Sequence, residues 1–172
     1  MKRINHFAWL VRRENVATYT TRLESLLGTG FEQISNDVFD AYVNWDSGLE
    51  LLTPADATSD RIDTLTRTLD ERGEAPYALV IRVPDLDAGS AHASSNGFDV
   101  APESTPADPA QRLEVIRSYT NKLNDIRETH IGEFLGLKLA LCEISYVDED
   151  ERFPGSCLVN PQPHKRVGAQ LP

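Results

Sequence analysis

Cysteine is scarce in this chain of 172 residues, which has 2 in all. Cys142 lies in a predicted strand and Cys157 in the tail, so there is no CxxC pair and no disulfide framework. Positive charge is also short. Lys and Arg number 17 against 27 Asp and Glu, a formal net charge of -10, and no basic run is dense enough to reverse it. A phosphate-backbone partner is therefore not expected. Long apolar runs are missing too: nothing approaches the roughly 18 residues that span a bilayer, and the opening "MKRINHFAWLV" is too broken for a signal peptide. These absences point to a cytoplasmic protein of a reducing compartment, with no membrane partner. What remains is ordinary globular composition, 40% hydrophobic and 26% charged, and enough chain to bury a sizeable core.

The pattern along the chain repeats. "INHFAWLV" reads as a strand, and Glu14 to Leu27 as a helix with Val16, Tyr19, Leu23, Leu26 and Leu27 at helical spacing and Gly28 as its stop. Strands follow at "GFEQIS", "VFDAYVNWD" and "LELLTP", the last two joined by a turn at Asp46-Ser47-Gly48. After a linking helix from Arg61 to Arg72, the order restarts: strand "YALVIRVPD", a helix with Asp85 as N-cap, a strand at Phe98, then "IRETHIGEF" and "KLALCEISYV". The expected fold class is α+β, two βαβββ modules. Residues 1–54 form the first, 55–75 a linker, 76–147 the second, and 148–172 an extended tail.

Phe31 lies 19 positions before Glu50, and Phe98 lies 45 before Glu143. The second module thus carries 26 extra residues, near 101–125. Half of this insertion is Pro-rich; the rest predicts a helix with Asp108 as N-cap, Pro109 at N1 and Gln111 at N3, placed to cap a cavity, contact another subunit or complete the core.

Two glutamates stand in otherwise apolar strands, Glu50 in "GLELLTP" and Glu143 in "KLALCEISYV". A buried carboxylate is costly unless paired, protonated or bound to a cation. Either the two share a cavity, where mutual repulsion raises one pKa and sets up an acid and a base, or they reach water at its mouth. His6 is either a hydrogen-bonded core histidine or a ligand. Arg82 closes its strand at the cavity end, facing an anionic substrate or solvent. Trp9, Trp45, Tyr42 and Phe134 line a pocket or fill core. His92 and His164 are expected in solvent, and the inward face of the "IRETHI" strand, hence the role of His130, stays open.

The double βαβββ plan, with "INHFAWLV", "GLELLTP" and "YALVIRVPDLD", resembles the vicinal oxygen chelate superfamily, which includes glyoxalases, bleomycin-resistance proteins, methylmalonyl-CoA epimerase and extradiol dioxygenases. The resemblance spans most of 4–147. It implies an open U-shaped barrel around a central cavity, and a homodimer. It also implies a divalent metal held by one residue from the first and last strand of each module. Carried over, these are His6, Glu50 and Glu143, while the fourth position is Ala78. The implied function is a glyoxalase-like enzyme on a small oxygenated metabolite, of isomerase, epimerase or lyase type, with Glu50 and Glu143 as catalytic groups. The alternatives are a metal-free small-molecule binder of the bleomycin-resistance type, or a partner subunit with a vestigial site.

Overall fold

In the computed structural model, residues 3–56, 60–118 and 120–147 are described. The first module contributes β1 (Arg3–Leu10), α1 (Arg13–Leu27), β2 (Glu32–Ser35), β3 (Phe39–Asn44) and β4 (Leu49–Pro54). The link is α2 (Asp60–Arg72). The second module contributes β5 (Ala75–Arg82), α3 (Leu86–Ser95), α4 (Pro109–Arg117), β6 (Leu123–Phe134) and β7 (Leu137–Tyr146).

The strands form one curled sheet in the order β2-β3-β4-β1-β5-β7-β6. β1 and β5, the first strand of each module, pair antiparallel at the centre, and each is flanked by the last strand of its own module in parallel. The described residues contain seven strands, not the eight expected. The segment at Phe98 runs beside β6 without joining the sheet: Ala101 N donates to His130 O at 2.9 Å and Ser104 N to Glu128 O at 2.8 Å. Pro102 and Pro106 lack the donors that a regular ladder needs, which keeps this edge irregular.

Helices lie on both faces. On the convex side, α1 covers Val11, Leu51, Trp9 and Tyr42 through Val16, Tyr19 and Leu23. α3 covers Val83, Ile131 and Leu141 through Leu86 and Ala93. Gly89 of α3 packs against that sheet, with space for a Cβ only 3.2 Å from Val83. On the concave side, Leu65 and Leu69 of α2 close over Ala8, Leu10, Leu52 and Ala78. Ile116 of α4, 1% exposed, closes over Val80, Ala140, Cys142 and Ile144. Trp45 packs on both concave clusters. The inserted helix thus completes the core of the trough.

α4 forms where the sequence places it. Asp108 caps it by accepting from Gln111 N at 3.2 Å, with Pro109 in the first turn. Its anchor is Arg112, which donates through Nε and Nη2 to both oxygens of Asp125 on β6, at 2.9 and 3.0 Å, and through Nη1 to Pro106 O and Ala107 O. Arg112 is only 6% exposed, so removing its carboxylate strands a buried cation. Asp125→Ala should lower unfolding free energy by roughly 2–3 kcal/mol. A urea midpoint unchanged from wild type would show that the two carbonyls alone hold the guanidinium.

The tail from Asp148 and His164 lie outside the described residues. No helix among the described residues is long and apolar enough to cross a membrane.

Candidate functional site

His6 reaches the trough through an irregularity in β1. The β1–β5 register slips between Ile4 and His6, so that Asn5 is bulged and its side chain comes to lie beside that of His6. Asn5 Nδ2 donates to Tyr146 Oη at 2.8 Å, and Asn5 Oδ1 lies 2.9 Å from His6 Nδ1. With the amide so oriented, His6 Nδ1 carries the proton and Nε2 is left as the acceptor. Nε2 stands 3.6 Å from Glu50 Oε2.

The turn before β4 holds this bulge in place. Gly48 has φ of 71° and donates its N–H to Asn44 O, while its carbonyl accepts from Phe7 N at 2.8 Å. A Cβ on Gly48 would sit 2.4 Å from Asn5 O, a backbone atom that cannot step aside cheaply. Asn44, fully buried, ties the turn by accepting from Ser47 N and Oγ. Gly48→Ala should therefore cost roughly 2 kcal/mol or more, from positive φ and backbone overlap together. A loss under about 0.5 kcal/mol in chemical denaturation, the range of ordinary surface changes, would show that the bulge relaxes freely.

Glu50, whose side chain is 15% exposed, faces the trough from β4. Across the trough, Glu128 of β6 faces the same space. Burial pushes Glu50 up to about 7, and the charge of Glu128 adds to the effect. Burial also pushes Glu128 up to about 7. Among the described residues, the Glu128 side chain has no hydrogen bond or ion pair. Two carboxyls that titrate near neutrality thus share one desolvated space with an oriented imidazole.

Glu143 is not in that space. On β7, Cys142 joins the concave cluster, so its neighbour Glu143 points to the convex side. There it accepts from Leu86 N at 3.0 Å and lies 3.4 Å from Arg127 Nη1. Arg127 also holds Asp87 and Glu103, each at 2.9 Å. Glu143 helps hold the start of α3 onto β6.

The ladder explains the difference. In the first module Ala8, two residues after His6, pairs with Glu50. In the second, Val80, two residues after Ala78, pairs with Ala140. By register the counterpart of Glu50 is Ala140, so both second-module positions are alanines, 9% and 1% exposed. Tyr77 does not take the opposite face, as plain alternation predicts. A second register slip, between Ala8 and Trp9, leaves it bulged, and it packs against the cluster containing Ala78.

Among the described residues no three or more His, Cys, Asp or Glu converge as a metal-holding group. His6 and Glu50 lie together, but Glu128 does not converge with them on one point and the two facing positions are buried alanines, so the set does not fit a divalent metal centre. Cys142, paired with Glu128 in the ladder, is held as a neutral thiol by burial and by that carboxylate, its pKa pushed up to about 12.

Other predicted lining residues divide. Arg82 lies over the Tyr146 ring at 5.6 Å and donates to Ile144 O at 2.7 Å. Trp45 lies in the trough, with Nε1 donating to Glu32. Trp9 and Tyr42 belong to the convex core, and Phe134 is 63% exposed at a hairpin tip. His92 is exposed on α3. His130 faces the concave side, because Thr129 and Ile131 are buried on the other.

The chain is similar in structure to methylmalonyl-CoA epimerase of Mycobacterium tuberculosis, with 22% identity over 81% of this chain and 86% of that one, at a TM-score of 0.55. It is similar to a variant of 4-hydroxymandelate synthase from Streptomyces coelicolor, with 14% identity over 84% of this chain and 49% of that one, TM-score 0.58. A hypothetical protein of Bacillus halodurans matches at 14% identity over 83% of this chain and 94% of that one, TM-score 0.57. No family model and no curated protein matches the sequence.

Proposed function

We propose that this chain, which has the vicinal oxygen chelate fold, is a glyoxalase-like acid–base enzyme that moves a proton at an activated carbon of a small carbonyl compound. The observation that carries this reading is the pair Glu50 and Glu128, buried across one trough, each with its pKa raised to about 7. At neutral pH such a pair holds about one proton, so a base and an acid coexist. The ionised carboxylate takes the proton from the carbon, and the C–H electron pair passes into the adjacent carbonyl as an enolate. The protonated carboxyl then returns a proton to that carbon, from the other side in an epimerisation. The two groups end with their protonation exchanged and reset through solvent. His6, with Nδ1 tied to Asn5, presents Nε2 to Glu50 and serves as its proton relay. The resemblance of the fold to that of methylmalonyl-CoA epimerase supports the reading without specifying the substrate.

The test is exchange of the acidic hydrogen for deuterium in D2O, followed by NMR over a panel of 2-substituted carbonyl acids, aldehydes and thioesters. Exchange that survives a chelator is the expected result. A panel with no exchange above the uncatalysed rate sinks the proposal.

The apolar lining of the trough, with Ala8, Ala78, Val80 and Ala140, favours a second reading as a metal-free binder of an apolar small molecule. That reading predicts ligand-induced stabilisation without exchange.

A further inference from the structure

The convex face is open at its centre. α1 lies over β4, and α3 lies over β6 and β7. Between the two helices runs a row of apolar side chains in register: Leu49 of β4 beside Phe7 of β1, Phe7 beside Leu79 of β5, and Leu79 beside Leu139 of β7. By alternation these share the face of Leu51, Trp9 and Ile81, which is the convex one. Each is half-buried, and Leu49, Phe7 and Leu79 belong to none of the core clusters. The row beside it starts at Ile4, paired with Ile81 and 64% exposed.

α1 adds a knob beside this floor. The helix runs back along β1, and Tyr19 donates to Glu74, at the start of β5, at 2.5 Å. Leu26 lies two turns after Tyr19 on the same side of α1, so it stands on the wall that faces the open strands. It is 79% exposed. None of these apolar positions carries a charge, in a chain with 27 acidic residues.

Symmetry and size say what fits here. β1 and β5 are antiparallel, so a local two-fold axis between them exchanges Phe7 with Leu79 and Leu49 with Leu139. A patch that maps onto itself in this way matches a copy of itself turned face to face, the self-complementarity that an isologous dimer needs. The open floor is about 14 by 17 Å, from strand spacing and rise. The helices beside it are about 22 and 15 Å long and 10 Å wide. Together they give a footprint of about 600 Å² in projection, and a corrugated surface of that size supplies the roughly 800 Å² of accessible area per partner of a standard interface.

We propose that two copies of this chain pair through the convex face, the row Leu49–Phe7–Leu79 of each packing on the other and Leu26 of each closing the edge. The pairing buries the row and leaves the trough, on the other side of the sheet, open in both copies. It is independent of the acid–base chemistry.

The experiment is sedimentation equilibrium of the full chain under reductant, which removes any disulfide through Cys157. A mass of twice 19.2 kDa at tens of micromolar is expected. Each copy carries a net charge of -10, so added salt should tighten the dimer by screening their repulsion. Leu26→Glu, on an exposed helical position that folding does not need, should raise the dimer Kd at least about thirtyfold, the loss typical of a central contact. Phe7→Glu should do the same. Leu135→Asn, at the exposed hairpin tip between β6 and β7, should leave the Kd unchanged. A monomeric wild type overturns the inference, and one that instead sediments with phosphatidylcholine vesicles assigns the row to a lipid surface. A dimer that survives both glutamate variants, or that Leu135→Asn dissolves, overturns it by placing the interface elsewhere.

Discussion

Glu50→Gln and Glu128→Gln should each reduce proton exchange by about a hundred- to ten-thousandfold, the usual worth of a positioned acid or base. Glutamine keeps the shape and the hydrogen-bonding capacity of the side chain but can neither take nor give the proton. The effects should not add. Once one member is lost the proton has no return path, so the double variant should be about as slow as either single one. Wild-type rate against pH should be bell-shaped around neutrality, because the active form holds one proton between the two groups. Its limbs report the pair, not either residue alone. Removing Glu128 also removes its charge from Glu50, so the single variant should carry a lower Glu50 pKa as well as a lower rate. Glu143→Gln, on the convex side, should leave the rate near wild type. A large rate loss in Glu143→Gln with both trough variants active would transfer the chemistry to the other face of the sheet.

A second large effect concerns stability against pH. Glu50 and Glu128 are raised from an ordinary 4.5 to about 7 in the folded chain. Between those values the folded state holds protons that the unfolded state has released. Stability must then fall as pH rises through that window, and stay low above it. At 1.36 kcal/mol per pH unit, each carboxyl taken alone accounts for roughly 3 kcal/mol. The arginine-bound acids act in the opposite direction. Hydrogen bonds from Arg127 hold Glu103 and Asp87 below the usual carboxylate range, and Arg112 does the same to Asp125. Their contribution is present above that range and is lost as acid protonates them. Maximum stability is therefore expected near pH 5, about 3 kcal/mol or more above its value near pH 8. Glu50→Gln and Glu128→Gln should each flatten the alkaline fall and stabilise the protein near pH 8. Urea unfolding at the two pH values decides it, and equal wild-type stability at both would mean that the trough is wetter than its geometry implies.

Element order was legible in the sequence because it rests on local chemistry. Helix α1 stops at Gly28, which takes φ of 75° and donates to Glu24 O. Asp85 caps α3, and Asp108 with Pro109 starts α4, each an interaction between residues three apart or fewer. The repeat of the strand pattern carried the fold for the same reason, and His6 and Glu50 could be singled out as candidates because each lies at the expected place in its module.

The second carboxyl was not legible. In "IRETHI" the alternation places Ile126, Glu128 and His130 on one face and Arg127, Thr129 and Ile131 on the other, so both faces mix apolar and polar groups. In "LALCEIS" both faces are largely apolar, and nothing local tells whether Cys142 or Glu143 turns inward. The choice is made by what packs on each side: Ile116 of α4 on Cys142, and the N-terminus of α3 with Arg127 on Glu143. Likewise the slips at Asn5 and Tyr77 are single-residue events that no periodicity reveals, yet they orient His6 and turn Tyr77 into the trough. Apart from the strand expected at Phe98, the elements, their order and the doubled plan follow from the sequence alone, since caps, turns and alternation act within a few residues. Only the tertiary structure decided which glutamate joins Glu50, because facing across a curled sheet depends on register and on helices packed from far along the chain.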